Sequence, residues 1–578
     1  MGDIIVGIDL GTTNSAVAVV QDGQPHILPK GEQRIIPSVV GYSKQGGWLV
    51  GRAALNQYVL DPDNTVRSIK RKMGSSDKIK LGQQELTPPE ISAFILRELK
   101  TIAESNLGQP VNKAVITVPA YFTNAQRQAT KAAGEIAGLE VVRIINEPTA
   151  AALAYGLDHE ADQLVLVYDL GGGTFDVSLV EMTGGVVEVR ASHGNTQLGG
   201  DDFDHILAEH ISKLFYKKHQ LSLKDNRVAQ ARLNRAAEAA KVHLSDFPEA
   251  QVREEYLAEQ NGRPFHLEST VSRLEFEEMT EALLGQTIES IEQVFRDAEV
   301  SPKDIDRVLL VGGATRMPAV WTLVANYTKL EPDSEINPDE VVALGAAVQA
   351  AIIAGQPVDS ILVDVTPYSL GIETAVRVGG QIIPDIYSVL IRRNTTVPVT
   401  KEQIFQTIFP DQKAIHVQVY QGEAPVASAN TLLGDFMIEG LKPEAPGDYP
   451  TVNVRFDFDV NGMLHVSARD RVTGTENRVS VHATQARLTP AEIAEARERL
   501  ADIELAGELK GGEGAQPVID EETQALLHRA QTLLDGNSLD QAQAAQLKDL
   551  MQDIMTAESQ RELDDLAEAL LDQLFDLE

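Results

Sequence analysis

The sequence contains no cysteine in its 578 residues. Disulfide scaffolds, cysteine-ligated zinc or iron sites and thiol catalysis are therefore excluded. No run of eighteen uncharged apolar residues occurs, which argues against a membrane-spanning helix. The chain starts with a strand-like run that no basic leader segment precedes, so we expect a cytoplasmic protein without membrane association.

Positive charge is also scarce, since 50 Lys and Arg face 85 Asp and Glu, a formal net charge of −35. Such a field repels a duplex phosphate backbone, and the composition argues against nucleic acid as the main ligand. Hydrophobic residues make up 43% and charged residues 23%, which is typical of a globular protein. The length allows about three to five domains.

An approximate internal repeat organises the first half of the chain. Residues 4–13 reappear about 160 residues later as residues 164–174. In each copy an apolar run ends in Asp-Leu-Gly, and a second apolar run resumes at once at 15–20 or 175–180. Strand, tight turn and returning strand form a hairpin signal, so we expect two related halves that face each other.

Strands alternate with helices around these hairpins, which indicates an α/β architecture. The sequence predicts strands at 113–119, 141–145 and 307–311 and helices at 124–137, 232–244 and 269–300. An apolar linker follows at 356–365, where a mere spacer would be polar. Short strands and an Asn461-Gly462 turn then predict a separate β domain over 366–485.

Helical spacing characterises the remainder of the chain, 486–578. Leu488, Ile493, Ala496, Leu500 and Ile503 form one apolar stripe, and a second stripe consists of Leu563, Leu566, Leu570, Leu574 and Leu577. From residue 520 to 578, 15 acidic residues against 3 basic ones give a local charge of −12. The sequence predicts a solvated, acidic helical face there.

Glycine-rich turns after strands suit phosphate, because backbone N–H groups reach its oxygens without a Cβ in the way. Neither a Walker sequence nor a dinucleotide-binding glycine pattern occurs. Two opposed Asp-Leu-Gly hairpins would present donors on both sides of a polyphosphate, and Asp9 and Asp169 would hold Mg²⁺ mostly through water. The glycines of 310–316 strengthen this interpretation.

These residues resemble the signatures of the seventy-kilodalton heat-shock chaperones of DnaK type. The matching segments are 7–15, 118–122, 145–152 and 169–176, and the resemblance covers roughly residues 2–485. It implies an actin-like ATPase domain with a duplicated ribonuclease-H-like fold at 1–355, the linker at 356–365, a peptide-binding β sandwich at 366–485 and a helical lid at 486–578.

The resemblance also implies a nucleotide site for ATP or ADP with Mg²⁺ and K⁺. Catalytic roles fall on Lys70, Glu147, Asp169, Thr174 and Asp176, and Asp9, Asp169 and Asp176 would organise the metal ions. The nucleotide would contact Asp9, Gly11, Thr12, Thr13, Asn14, Gly171, Gly172, Gly173, Gly199, Gly200, Glu238, Lys241, Ser245, Gly312, Gly313, Arg316 and Asp339.

Coupling and peptide binding follow from the same resemblance. Allosteric positions are Pro119, Arg127, Arg143, Leu362, Val363 and Asp364, and Arg143 with Asn146 resembles part of a J-protein contact. The peptide cleft would consist of Ile372, Thr374, Ala375, Phe405, Thr407, Ile408, Ala414, Ile415, Val417 and Met463. Among these, Phe405 and Val417 are the strongest candidates for plain core residues.

Three features depart from the family pattern. Ala375 and Ile408 would form the arch over the peptide with the small and large residues exchanged, the stretch 376–391 is longer than usual, and the lid is short.

The sequence favours an ATP-dependent chaperone for unfolded clients, served by a J-domain co-chaperone and a GrpE-like exchange factor. Two alternatives stay open: a small-molecule kinase of the actin superfamily, and an ATP-binding holdase or exchange factor that does not cycle.

Overall fold

The computed structural model describes residues 4–156, 162–333, 337–358, 360–480 and 488–501, and parts of the C-terminal helices from residue 523 onward. Contacts divide the chain into two compact units, Met1–Leu505 and Ala506–Glu578. Within the first unit we call residues 4–358 the two-lobed part and residues 366–480 the β-sandwich part.

The first lobe is built around a mixed sheet of order β11-β10-β1-β2-β3, with β4 paired to β2. Strands β1 and β10 are parallel, and β1 and β2 form the expected hairpin. The elements are β1 Ile5–Leu10, β2 Asn14–Gln21, β3 Gln24–Ile27, β4 Ile36–Pro37, β5 Val40–Tyr42, β6 Trp48–Val50, α1 Arg52–Tyr58, β7 Thr65–Val66, β8 Ile79–Leu81, β9 Gln84–Leu86, α2 Pro88–Leu107, β10 Lys113–Val118, α3 Asn124–Ile136, β11 Glu140–Asn146 and α4 Glu147–Gly156.

The second lobe repeats this arrangement in a sheet of order β17-β12-β13-β14-β18, to which Thr396–Val397 (β21) of the following part adds a sixth strand. Strands β12 and β13 form the second hairpin and β12 runs parallel to β17, so the predicted repeat is confirmed. The elements are β12 Gln163–Leu170, β13 Phe175–Thr183, β14 Val186–Asn195, α5 Gly200–His219, α6 Arg227–Asp246, β15 Glu249–Gln260, β16 Arg263–Ser272, α7 Arg273–Ala298, β17 Arg307–Val311, α8 Pro318–Thr328, α9 Val341–Ile353 and β18 Ile361–Val365.

Two elements of this lobe differ from the sequence prediction. The helix predicted from residue 269 begins only at Arg273, because the preceding residues pair with β15 as strand β16 and Ser272 caps the helix. The linker residues Ile361–Val365 form strand β18, which runs parallel to β14 and also pairs with β21. The apolar linker is therefore part of a sheet.

The β-sandwich part consists of two four-stranded sheets, β20-β19-β23-β24 and β22-β25-β26-β27, whose inner faces share one core. The Asn461-Gly462 turn joins β25 and β26 as predicted. The long stretch 376–391 lies in the β19–β20 hairpin, where Gly379 and Gly380 turn the chain. The strands are β19 Leu370–Val378, β20 Gln381–Ile391, β21 Thr396–Val397, β22 Val399–Gln406, β23 Ala414–Gln421, β24 Thr431–Glu439, β25 Thr451–Phe458, β26 Leu464–Asp470 and β27 Glu476–Ser480.

Helix α10, Pro490–Ala501, packs on the first lobe. Ala496 and Leu500 are buried in the core of that lobe, with Leu488 and Ile493 against it. Arg499 pairs with Glu90 at the start of α2. These four members of the first predicted apolar stripe therefore pack on the core of the first lobe. The fifth member, Ile503, lies outside the described residues.

The second unit contains helix α11, Gln541–Thr556. Its apolar face contributes to a small cluster formed by Ala530, Leu547, Ile554, Leu570 and Leu574. Leu570 and Leu574 of the second predicted stripe are therefore buried, whereas Leu563 and Leu577 lie outside the described residues.

Helix α9 of the second lobe is packed closely against the first lobe. A Cβ on Gly345 would lie 1.7 Å from the carbonyl oxygen of Ala150 in α4, and a Cβ on Gly7 in β1 would lie 2.0 Å from the backbone nitrogen of Ala347 in α9. The small side chains of α4 and α9 allow this approach. The distance between the β1–β2 hairpin and the β12–β13 hairpin depends on this close helix packing.

We expect Gly345→Ala to destabilise the two-lobed part by about 2 kcal/mol or more, because backbone must move to admit the methyl group. Gly285→Ala in α7 is the matched control, since nothing lies within 4 Å of the added Cβ. Its helix should gain about 0.5–1 kcal/mol. Denaturation followed by circular dichroism compares the two, and equal effects would contradict the close packing.

Candidate active site

A cavity of about 290 Å³ lies where the two hairpin turns meet. Gly172 is so close to Thr13 that a Cβ would lie 1.8 Å from the threonine Oγ1. Most of the predicted site residues line this cavity: Asp9, Gly11, Thr12, Thr13, Asn14, Lys70, Glu147, Asp169, Gly171, Gly172, Thr174, Gly200, Glu238, Lys241, Gly312, Gly313, Arg316 and Asp339.

Four predicted residues lie just outside its lining. Asp176 is buried behind the second hairpin, where its Oδ1 accepts the backbone N–H of Tyr121 at 3.1 Å. The carbonyl of Gly173 accepts from Arg71, and Gly199 packs against Gly172. Ser245 lines an adjoining hollow that shares Gly313 and Arg316 with the main cavity.

Lys70 and Glu147 form a buried ion pair in the cavity wall. Glu147 is the first residue of α4, and Lys70 lies in a short 3₁₀ segment after β7. Burial raises the pKa of Glu147 to about 7, the charge of Asp9 adds to the rise, and the ammonium of Lys70 opposes it. Lys70 also lies 5.9 Å from the ring centroid of Phe122.

The aspartates of the two hairpins are buried close to one another. Burial raises the pKa of Asp169 well above its ordinary value, and the negative charges of Glu147, Asp176 and Asp9 add to the effect. Asp9 accepts a hydrogen bond from Thr117 at 2.9 Å, yet burial still raises its pKa. Four buried carboxylates therefore share the single ammonium of Lys70.

This excess of buried negative charge fits a bound cation. In the described part of the chain no three acidic or histidine side chains are close enough to hold an ion together. Mg²⁺ keeps several waters and binds through one or two carboxylates with substrate phosphates, so the donor set suits a phosphate-bound Mg²⁺. Asp9 and Asp169, which line the cavity, are the residues that would hold it through water.

Hydrogen-bond donors for phosphate come from the turns. The Oγ1 of Thr13 is buried and has no hydrogen-bond partner among the described residues, and Thr12 and Thr174 also line the cavity. Gly312 has φ of +83°, and a Cβ there would lie 2.5 Å from the carbonyl oxygen of Leu170. These close approaches leave backbone, rather than side chains, facing a ligand.

Ion pairs rigidify the opposite end of the cavity. Glu238 accepts from Arg67 at 2.6 Å, which joins α6 to the first lobe across the opening. Lys241 contacts Asp204 at 2.8 Å, and Arg316 contacts Asp339 at 2.6 Å. These four residues of the predicted nucleotide site, Glu238, Lys241, Arg316 and Asp339, thus line one cavity and already have ion-pair partners.

The family model described as Hsp70 protein matches residues 5–576, nearly the entire chain. The chain belongs to the Hsp70 family. Members of this family are ATP-dependent chaperones and ATPases that bind ATP or ADP with Mg²⁺, and they bind client polypeptides. The family resemblance of the sequence signatures is confirmed by this match.

In this Hsp70 chain the linker strand is connected to the site through one pair of neighbouring residues. Glu147 pairs with Lys70, and the adjacent Asn146 donates to Asp364 at 2.8 Å. Arg127 is buried and donates to Asn146 at 2.6 Å. Burial lowers the pKa of Arg127 and raises that of Asp364, although the two charges attract one another.

The other predicted coupling residues lie around this group. Pro119 follows β10, and its carbonyl accepts the N–H of Phe122. The Nε of Arg143 is buried without a hydrogen-bond partner among the described residues. Leu362 packs on the core between the lobes, and both Leu362 and Val363 pair with β14.

The structure brings most of the predicted peptide-cleft residues to one end of the β-sandwich part. Thr374 and Ala375 lie in β19, and Thr407 and Ile408 follow β22, where the Ile408 carbonyl accepts from Arg377 at 3.2 Å. Ala414 and Ile415 begin β23. Ile372 and Val417 are core residues, and Phe405 packs against that core.

Met463 is the exception. It follows the turn between β25 and β26, and a Cβ on the preceding Gly462 would lie 3.1 Å from Arg127 of the first lobe. Phe405 pairs with Val452 at the opposite end of β25. The structure therefore places Met463 at the end of the sandwich that faces the two-lobed part, away from the other cleft residues, because the strand register separates them.

Sequence reasoning missed several residues that surround or support the site, because no motif contains them. Arg34 bridges to Glu340 with hydrogen bonds of 2.6 and 2.8 Å across a separation of 306 residues. Arg67 and Thr117 contact predicted site residues from other elements.

Among the described residues no helix is long and apolar enough to cross a membrane.

The shifted pKa of Glu147 predicts a pH-dependent stability. Since its pKa in the folded protein, about 7, exceeds the ordinary 4.5, the folded state binds this proton more tightly than the unfolded chain does. The stabilisation is complete below the ordinary pKa and is lost as pH rises through about 7. Glu147→Gln cannot ionise.

We therefore expect the free energy of unfolding of the nucleotide-free Glu147→Gln variant to improve relative to wild type as pH rises from about 5 to about 8. Denaturation at each pH measures the difference. Glu85→Gln, at an exposed position in β9, controls for the loss of one carboxylate. A wild-type advantage that grows with pH would contradict the interpretation.

Proposed function

We propose that this protein is a chaperone of DnaK type that binds extended hydrophobic segments of unfolded proteins and changes its affinity for them by binding and hydrolysing ATP. The observation that carries the proposal is the contact chain from the cavity to the linker strand, Lys70–Glu147 followed by Asn146–Asp364. It supports a nucleotide site that communicates with a second binding site.

Hydrolysis is assigned to the residues around the cavity. Mg²⁺ would neutralise phosphate charge. The ammonium of Lys70 stabilises the charge that develops on the γ-phosphoryl oxygens and holds the attacking water in line, which is the main kind of catalysis in phosphoryl transfer. Glu147 orients Lys70, and Thr12 and Thr174 contact the γ-phosphate. Asp176, together with Asp9 and Asp169, would organise Mg²⁺ and K⁺.

The proposed domains are an ATPase domain at 1–355, a linker at 356–365, a substrate domain at 366–485 and a lid at 486–578. In the described arrangement β18 lies in the sheet of the second lobe and α10 packs on the first lobe. With α10 held there, that helix cannot cover the peptide cleft. We therefore assign this docked arrangement to the ATP-bound, open state, and release of β18 and α10 to the closed state.

Peptide affinity requires more than one pocket. Burial of one leucine contributes about 1.5–3 kcal/mol, whereas micromolar affinity needs about 8 kcal/mol. Main-chain hydrogen bonds to an extended segment and a closing lid supply the remainder. Control over the lid is thus an effective way for ATP to control affinity.

Partners follow from the family. We propose that a J-domain co-chaperone stimulates hydrolysis through the surface near Arg143 and Asn146, and that a GrpE-like exchange factor releases ADP.

Two alternative functions fit the chain less well. A small-molecule kinase would not need the β-sandwich part or a linker strand that is hydrogen-bonded to the residue next to Glu147. An ATP-binding holdase that does not cycle would not need the buried Lys70.

Lys70→Ala and Thr174→Ala should each lower the single-turnover rate of ATP hydrolysis by about 100-fold, because each removes a group that faces the developing phosphoryl charge. ATP binding should stay measurable by calorimetry. Lys72→Ala and Thr183→Ala, at exposed positions of the same segment and of β13, are the matched controls. Unchanged hydrolysis in the first pair would refute the catalytic assignment.

ATP should accelerate the release of a labelled hydrophobic peptide from the wild-type protein, and Asp364→Asn should lose most of this acceleration. The substitution removes the charge that Arg127 and Asn146 hold in place. Asp22→Asn, at an exposed αL turn position that accepts either residue, is the control. Peptide release that is indifferent to ATP in the wild type would disprove the chaperone cycle.

A further inference from the structure

A second contact between the two parts of the chain reaches the active site without using the linker strand. The hydroxyl of Tyr368, two residues before β19, donates to the backbone carbonyl of Tyr121 at 2.9 Å. The backbone N–H of the same Tyr121 donates to Asp176 at 3.1 Å. One residue of the first lobe is therefore held from the β-sandwich part on one side and by a candidate catalytic carboxylate on the other.

The backbone of the turn that contains Tyr121 is bonded on both sides. The N–H groups of Ala120 and Tyr121 face Asp176 and partly offset the rise in its pKa that burial causes. The carbonyls of Ala120 and Phe122 accept from Arg127 at 3.0 and 3.3 Å. The carbonyl of Tyr121 is the one bonded to the β-sandwich part.

The aromatic rings around Tyr121 restrict its movement. Its ring centroid lies 4.4 Å from that of Tyr368 and 5.0 Å from that of His193 in β14. Burial raises the pKa of Tyr368 above that of a free tyrosine, so its hydroxyl keeps the proton it donates. The adjacent Ser369 is fixed by hydrogen bonds to Glu423, which anchors Tyr368 to the β-sandwich part.

We propose that Tyr368 is a positioning residue that links docking of the β-sandwich part to the placement of Asp176 through the backbone of Tyr121. When the parts separate, the Tyr121 carbonyl loses its donor and the turn is free to shift its N–H groups relative to the carboxylate. This inference rests on the proposed ATP-controlled docking. It gives Tyr368, which lies outside the nucleotide site, an effect on hydrolysis.

Tyr368→Phe tests the proposal because it removes the hydroxyl and keeps the ring. Tyr387→Phe is the matched control, since that hydroxyl also donates to backbone carbonyls, those of Ser369 and Tyr420, but entirely within the β-sandwich part. Tyr420→Phe, whose hydroxyl contacts Gln418, is a second control if Tyr387→Phe fails to fold.

The full-length chain supplies the readouts. Because it has no cysteine, Asp225→Cys with Lys442→Cys places one fluorophore on each part at exposed positions. We expect Tyr368→Phe to lower ATP-induced docking and the ATP acceleration of peptide release by about threefold to tenfold, the range for one lost hydrogen bond. The single-turnover hydrolysis rate should change at least threefold, while ATP affinity and peptide affinity in ADP stay within about twofold.

Each outcome has a distinct meaning. A Tyr368→Phe variant that matches wild type in docking and hydrolysis overturns the proposal, and so does an equal effect in Tyr387→Phe or Tyr420→Phe, which would reflect the stability of the β-sandwich part. If ATP fails to alter docking or peptide release in the wild type, the proposed function fails. The hydrolysis rates then still decide whether Tyr368 positions Asp176.

Discussion

The central constraint is the burial of four carboxylates, Asp9, Glu147, Asp169 and Asp176, around one ammonium group. Burial raises the pKa of every one of these carboxylates, and repulsion within the group adds to the rise for Glu147, Asp169 and Asp176, so their charges together favour a cation. A bound Mg²⁺ would offset this negative charge and, at the same time, that of a polyphosphate held by backbone N–H groups. The close packing of α9 against the first lobe keeps the opposing hairpins near enough for the charges to act on a single ligand.

The same cluster explains how a ligand in the cavity would influence a distant surface. Glu147 begins α4 directly after β11 ends at Asn146. The side-chain amide of Asn146 donates a hydrogen bond to Asp364 of the linker strand. Asp176 reaches the β-sandwich part by the backbone of Tyr121. In the proposed cycle, a shift of either carboxylate would reach the linker strand or the β-sandwich part within one or two residues, through these part-buried hydrogen bonds.

Local patterns predicted the hairpins well. The Asp-Leu-Gly turns and the Asn461-Gly462 turn depend on neighbouring residues, and the structure has all three. The helix predicted from residue 269 started too early because pairing with β15, which helical spacing cannot reveal, determines where β16 ends. Met463 was misplaced for a similar reason, since the register of β25 and β26 decides which end of the sandwich it occupies.

The sequence by itself determined the repeated lobes, the absence of thiol chemistry, the two Asp-Leu-Gly turns and the family, because each depends on residue types at short spacing. Only the tertiary structure decided that Ile361–Val365 completes a sheet, that α10 packs on the first lobe, and that Tyr368 meets Tyr121. These contacts join residues far apart in the chain, and their energy depends on burial and on hydrogen-bond geometry that no local pattern encodes.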